Sequence, residues 1–131
     1  IAGSNDNSLA KKKLNKFVLN KQAIILGFSD VHVLGNSCNV FLDTIPYPCG
    51  SSAIEIMAKG KPVLSLHQLN LANYKKSRVP ELILKDEGEL NKALEKLEND
   101  IKFYRNMSIK SLAVAKSYDN GLELVNSIIS I

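Results

Sequence analysis

Residues 40–66, VFLDTIPYPCGSSAIEIMAKGKPVLSL, constrain the fold more than any other part of this chain. Compact apolar runs without polar alternation stand at both ends of the segment, and such runs are typical of strands buried on both faces of a parallel sheet. Between them, a loop containing Pro and Gly leads into a short helix, which we expect to cover Ser52 to Lys59 and to end at Gly60. The segment therefore predicts a strand–loop–helix–strand unit.

The same kind of pattern recurs along the chain. Apolar runs predict strands at Ile1–Gly3, Ala23–Gly27, Asn39–Asp43, Pro62–Leu66 and, as a short strand or turn, Pro80–Leu84. Helical spacing predicts helices at Ser8–Leu19, Gly88–Leu97, Asp100–Ser117 and Asn120–Ile129, and a short helix or turn at Val31–Leu34 closed by Gly35–Asn36. Alternation of strands and helices indicates an α/β fold: an open parallel sheet with helices on both faces and a helical C-terminal tail.

Composition limits the class of protein. At 131 residues with 45% hydrophobic content, the chain is long enough for one domain with its own core. No apolar run approaches the ~20 residues that span a bilayer, and we expect no secretory signal. Cys38 and Cys49 form neither a disulfide framework nor a metal-ligand pattern with His32 or His67. We expect a cytoplasmic protein that needs no metal and no cofactor and, since it opens at Ile1 without a Met, a piece of a longer chain.

The net charge of +4 arises from residues 1–21, which hold five lysines and one aspartate. The remaining residues carry equal numbers of basic and acidic side chains. The chain contains two arginines, Arg78 and Arg105, whereas sequence-specific readers of nucleic acid favour Arg with interleaved aromatic residues. We therefore expect the lysines to form a solvated helix face and expect no nucleic-acid partner.

The loop at 50–55 is the strongest indication of a ligand site. Gly50, Ser51 and Ser52 lie where a helix begins, and free backbone N–H groups at such a point can bind phosphate. Glu55, one turn further, is placed to meet a neighbouring group such as a ribose. Two structural alternatives remain open: Ser52 and Glu55 form a capping box without any ligand, and Gly50 supplies a turn that needs a positive φ.

The order of residues around this loop resembles the donor-binding half of GT-B glycosyltransferases. The shared pattern is VFLDT, a Pro-rich loop, then G-S-S-x-x-E-x-x-x-x-G-x-P-V-L, followed by RVPELILK at 78–85. The likeness extends from about Ala23 to about Ser117 and is strongest to the O-linked N-acetylglucosamine transferases and their bacterial relatives that glycosylate adhesins. Retaining enzymes place a Glu eight residues before the second Glu, a position held here by Tyr47, which favours the inverting, protein-modifying branch.

This resemblance implies that residues 1–131 are a single Rossmann-like, C-terminal domain that holds a UDP-sugar. By the resemblance, the residues that meet the diphosphate and the ribose are Gly50, Ser51, Ser52 and Glu55. The residues that line the base loop and the cleft are Phe28 and Ser29 with Gly3 and Ser4.

The implied function is the donor-binding half of an enzyme that transfers a sugar from UDP to an acceptor, such as a protein side chain. The acceptor protein or glycan, and the unassigned catalytic residues, would belong to a further, N-terminal domain. The domain alone is then expected to bind without turnover. Two alternatives stay open: a non-catalytic Rossmann-like interaction module, and half of a retaining GT-B glycosyltransferase that builds glycans.

Overall fold

The computed structural model describes residues 20, 24, 26, 29–44, 48–66 and 76–118. The chain divides into two compact units, Ile1–Leu34 and Gly35–Ile131. That residues 1–131 form a single domain stays a prediction. The elements in chain order are α1 (Val31–Ser37), β1 (Phe41–Leu42), α2 (Ser51–Met57), β2 (Val63–Leu66), a 3-10 helix (Pro80–Leu82), β3 (Ile83–Leu84), α3 (Glu87–Asn99) and α4 (Ile101–Ser117).

In the first unit, a stretch of coil leads into α1. The Asp30 carboxylate accepts a hydrogen bond from the His32 amide at 2.7 Å, so Asp30 begins the helix as an N-cap residue does. Ile24 and Leu26 lie outside any strand and are 66% and 52% exposed. The prediction of a strand buried on both faces at 23–27 is therefore wrong for these two residues, because an apolar run is buried only where other elements cover it.

Helix α1 continues through Gly35 to Ser37, so the predicted end at Gly35–Asn36 is wrong. Gly35 is buried, and a Cβ there would lie 2.7 Å from Lys59 Cδ and 3.0 Å from Ile56 Cδ1. The missing side chain of Gly35 therefore allows Lys59 and Ile56 to pack closely against α1, and Gly35 does not end the helix.

The second unit contains a parallel sheet of three strands in the order β1-β2-β3. The central strand β2 is buried along most of its length, as a strand between two neighbours must be. Because neighbouring strands run parallel, each connection crosses back over the sheet, and α2 lies in the first of these crossovers. The paired residues are Phe41 with Val63, Leu42 with Leu64, Ser65 with Ile83, and Leu66 with Leu84.

Helices α3 and α4 begin at aspartates that cap their first turns. The Asp86 carboxylate accepts from the Glu89 amide at 2.9 Å. The Asp100 carboxylate accepts from the amides of Lys102 and Phe103, both at 3.0 Å. These bonds satisfy amides that the helix itself leaves unpaired, which explains why the observed starts agree closely with those predicted.

Helix α2 ends at Met57, two residues before the predicted end at Lys59. Gly60 has a φ of +70°, the left-handed conformation that favours glycine after a helix. The Ser108 hydroxyl of α4 donates to the Gly60 carbonyl, and a Cβ on Gly60 would lie 3.1 Å from that hydroxyl oxygen. Gly60 therefore turns the chain towards β2 and is in direct contact with α4.

The fold class agrees with the prediction: an α/β protein with an open parallel sheet, helices packed around it and a helical C-terminal part. Within the described residues, no helix is long and apolar enough to cross a membrane. The strand predicted at Ile1–Gly3 and the helices at Ser8–Leu19 and Asn120–Ile129 lie outside the described residues. The core of the second unit contains Leu64, Val79, Leu82, Leu84, Leu97 and Met107.

Candidate functional site

The loop that leaves β1 and enters α2 lies at the carboxyl end of the parallel sheet. Residues 43–44 follow β1 directly, and residues 48–50 lead into α2, which begins at Ser51. Open α/β sheets bind their ligands in crevices at this end of the strands. The predicted site segment is therefore placed where this architecture puts ligands.

Gly50 is the N-cap residue of α2 and is exposed. Its φ is −78°, so the interpretation of Gly50 as a turn residue that needs positive φ is wrong. A Cβ added here would meet no atom within 4 Å, so packing inside the protein does not explain the glycine either. The backbone at Gly50 consequently faces open space, and a ligand group can approach it closely.

The capping box predicted from Ser52 and Glu55 is also wrong. The helix begins one residue earlier, at Ser51, and its N-cap makes no side-chain capping hydrogen bond. Ser52 is therefore inside the first turn, and a side chain there cannot occupy the N-cap position that the box requires. This removes the main structural explanation for finding a Ser and a Glu at this spacing.

Ser51 and Glu55 are both exposed and stand four residues apart on α2. Residues at this spacing share one face of a helix, with Cβ atoms about 5–6 Å apart. The opposite face carries Ala53, Ile56 and Met57, each with no exposed surface, which fixes the helix against the rest of the unit. The hydroxyl of Ser51 and the carboxylate of Glu55 thus project together from a rigid support, beside open Gly50.

A buried ion pair between Asp43 and Arg78 lies behind this loop. The two residues are 4% and 2% exposed. Asp43 Oδ2 accepts from Arg78 Nε at 3.0 Å, from Arg78 Nη2 at 2.9 Å, and from the Ser65 hydroxyl at 3.0 Å. Asp43 Oδ1 accepts from the amides of Thr44 at 2.9 Å and Cys49 at 2.7 Å. The carboxylate therefore joins the ends of β1 and β2 to the loop.

Arg78 completes this arrangement from the segment before β3. Its Nη1 donates to the Ser77 carbonyl at 2.8 Å and to the Ser77 hydroxyl at 3.2 Å, and its Nη2 also donates to the Cys49 carbonyl. With the two bonds to Asp43, each of the five guanidinium N–H groups has an acceptor within the protein. Arg78 therefore binds the loop, and all three of its nitrogens donate within the protein.

Neither cysteine is paired in a disulfide, and both are partly buried. The Cys49 thiol lies 3.5 Å from the Thr44 hydroxyl oxygen. Over the described part of the chain, no group of three or more His, Cys, Asp and Glu residues is arranged to hold a metal ion.

A groove of about 520 Å³ lies at the other end of β1, away from Gly50. It is bordered by the residues that precede β1 and by parts of α3 and α4, and its walls are mainly apolar. The Tyr104 hydroxyl donates to the Asn39 carbonyl at 2.9 Å on this side. Burial, and secondarily the neighbouring Cys38, raises the pKa of Tyr104, which therefore stays neutral and able to donate. The groove is separate from the loop that the sequence singled out.

The predicted site residues fall into two groups. Gly50, Ser51, Ser52 and Glu55 lie together at the start of α2, as the segment's spacing requires. Gly3, Ser4 and Phe28 lie outside the described residues, and Ser29 belongs to the first unit. That this second group lines the same cleft stays a prediction.

No protein-family model matches the sequence, and no curated protein matches it. Among solved structures, the chain is similar to Anabaena Alr3699/HepE, whose crystal structure is in complex with UDP and glucose. The superposition has a TM-score of 0.72 with 16% sequence identity, and covers 99% of this chain and 40% of that chain. The chain thus spans less than half the length of the protein it matches. At this identity the likeness establishes the Rossmann-like fold.

Proposed function

We propose that this chain is the UDP-sugar-binding part of a GT-B glycosyltransferase. The observation that carries the proposal is the open backbone at Gly50, which lies at the carboxyl end of the sheet and is explained by neither a positive φ nor internal packing. The fold supports it, because the similar Alr3699/HepE holds UDP and glucose. The resemblance of residues 40–66 and 78–85 to donor-binding domains supports the same assignment.

In this proposal, the diphosphate lies against the backbone at Gly50 and the hydroxyl of Ser51. Glu55, exposed on the same face of α2 as Ser51, accepts hydrogen bonds from the ribose hydroxyls. A carboxylate four residues from the phosphate-binding serine is close enough to meet the ribose of the same nucleotide. The uracil would lie towards Phe28 and Ser29, with Gly3 and Ser4 along the cleft.

The chemical role proposed for this half is to hold the leaving group. When the bond between sugar and phosphate breaks, negative charge grows on the diphosphate, and preorganised donors that face it lower the barrier. The acceptor and the group that activates it would come from another part of the enzyme. We propose the protein-modifying branch related to the O-linked N-acetylglucosamine transferases, acting in the cytoplasm, and we expect this chain alone to bind the donor without turnover.

Titration with UDP, followed by amide chemical shifts, tests this assignment. We expect weak binding, on the order of 10⁻⁴ M or poorer, because in this proposal another part of the enzyme supplies the rest of the cleft. Shifts should be concentrated at Gly50, Ser51 and Glu55. If saturating UDP leaves these amides unperturbed while the protein is folded, the donor-site proposal fails and the interaction-module alternative gains support.

Two matched pairs of variants sharpen the test. Gly50→Ala places a methyl group in the open space and should abolish UDP binding by the folded protein, whereas Gly88→Ala, at an exposed glycine of α3, should bind normally. Glu55→Ala should weaken UDP more than it weakens a UDP analogue without ribose hydroxyls. Glu95→Ala, at an exposed glutamate of α3, should affect neither. Equal losses for both nucleotides in Glu55→Ala would contradict the ribose contact.

A further inference from the structure

Cys49, the residue directly before Gly50, has both of its backbone polar groups held by the buried ion pair. Its amide donates to Asp43 Oδ1 at 2.7 Å, and its carbonyl accepts from Arg78 Nη2. We infer that Arg78, acting through Asp43 and Cys49, is a positioning residue that fixes the backbone of Gly50 for its ligand. The inference rests on the proposed function and names a residue that the ligand does not touch.

The geometry separates Arg78 from residues that contact ligand. The side chain is almost fully buried, and its Nε, Nη1 and Nη2 atoms all donate to groups of the protein, including Asp43, Ser77 and Cys49. Its charge is matched by the Asp43 carboxylate at 2.9 Å. Arg78 therefore acts on a bound ligand only through the position of the loop.

Gly50 has few other restraints of its own. It has no side chain, it is exposed, and no side-chain hydrogen bond caps α2 at this end. On its C-terminal side the chain is held by the buried Ala53, and on its N-terminal side by the bonds to Cys49. The ion pair thus supplies one of the two anchors that locate this backbone.

The arrangement also requires arginine in particular. A planar guanidinium can donate to the Asp43 carboxylate, the Cys49 carbonyl and Ser77 at once. A lysine ammonium keeps the charge but presents a single nitrogen and cannot reach all three acceptors from one position. Arg78→Lys therefore removes the bridge to Cys49 while leaving a cation beside Asp43.

The test measures loop order and ligand affinity separately in the folded protein. In Arg78→Lys we expect amide hydrogen exchange at Cys49 to rise about 10-fold or more, as for the loss of a charge-assisted hydrogen bond. We expect UDP affinity to fall at least ~10-fold, because a displaced binding group costs that much. Leu97→Ala, a core change in α3, is the control: it lowers stability but should leave the folded protein's UDP affinity unchanged.

A second variant separates positioning from stability if Arg78→Lys folds poorly. The triple change Asp43→Leu, Ser65→Ala and Arg78→Met replaces the buried polar groups with apolar ones, a substitution that proteins often tolerate or gain from. This protein should fold with stability close to wild type, yet bind UDP at least ~10-fold more weakly, because the loop has lost its anchor.

The outcomes are distinct. Lower affinity in both variants, with faster exchange at Cys49 and an unaffected Leu97→Ala, supports the inference. If wild type binds UDP and the folded variants bind it equally well, the positioning role is overturned while the proposed function stands. If wild type does not bind UDP, the proposed function fails and the positioning role is overturned with it.

Discussion

Replacing Arg78 with methionine perturbs the buried ion pair most directly. Asp43, at 4% exposure, then loses the guanidinium that faces it, although the Ser65 hydroxyl and the amides of Thr44 and Cys49 still donate to its carboxylate. Breaking a buried pair by removing one partner costs about 3–5 kcal/mol. Because these donors remain, we expect the loss of stability to lie near the lower end of this range, at about 3 kcal/mol. A domain of this size is stable by about 5–15 kcal/mol, so the variant should still fold.

Equilibrium unfolding in urea measures this loss as a lower midpoint with an unchanged slope. The triple variant Asp43→Leu, Ser65→Ala, Arg78→Met should return to within about 1 kcal/mol of wild type, because no unpaired charge remains buried. A loss below about 1 kcal/mol in Arg78→Met would show that solvent reaches the pair. A triple variant as unstable as the single one would show that lost packing, and not an unpaired charge, is the cause.

Three further predictions concern the second unit. Gly60→Ala should cost about 1–2 kcal/mol, since φ is +70° and the new Cβ would meet Ser108 at 3.1 Å; a thermal midpoint unchanged from wild type would contradict this. The Lys110 ammonium, which donates to Glu81, lowers the pKa of that carboxyl below 4.5. Because the pKa is lower in the folded state, the ion pair stabilises the fold at pH values above the unfolded-state pKa. This stabilisation is lost as pH falls through the folded-state pKa. The free energy of unfolding of wild type should therefore exceed that of Lys110→Met by at most ~1 kcal/mol at neutral pH, since the pair is exposed, and this difference should vanish in acid. Urea unfolding at pH 7 and pH 3 checks this, and an equal difference at both pH values would refute it. Ser111→Ala should be neutral or stabilising by up to ~1 kcal/mol, because the buried Ser111 hydroxyl has no hydrogen-bond partner among the described residues; calorimetry showing a clear loss would reveal a missed partner.

The elements that local chemistry determines were predictable from sequence. Asp100 accepts from the next turn's amides, so the start of α4 follows from one aspartate before an apolar repeat. Pro62 and the apolar run after it placed β2 within one residue. In both places the information lies within a few neighbouring residues.

Features that depend on distant partners were not predictable in this way. Gly35 marks a helix end by local rules, but it lies inside α1, where a Cβ would come within 2.7 Å of Lys59 and 3.0 Å of Ile56. Ile24 and Leu26 have the composition of a buried strand and are nevertheless exposed. Apolar composition shows that a segment can be buried, but only the tertiary contacts decide whether it is.

The candidate site likewise combines residues that the local sequence identifies with a residue whose role depends on a distant partner. Gly50, Ser51, Ser52 and Glu55 could be named from their spacing, whereas Arg78 could not, because its partner Asp43 is 35 residues away. The available signal was weak: the chain has two arginines among many lysines, and Arg78 stands before an apolar Val-Pro segment. An arginine in such surroundings is a reasonable candidate for a buried ion pair, but the sequence does not identify the carboxylate.

The separation of Asp43 and Arg78 along the chain has a consequence for biosynthesis. During translation, the loop before Gly50 cannot be anchored until residue 78 has been added, 35 residues after Asp43. At ~5–20 residues per second, that delay is about 2–7 seconds. Over this interval β1 and the loop exist without the guanidinium that holds them, so the loop before Gly50 acquires its final anchor only after the chain has passed well beyond it.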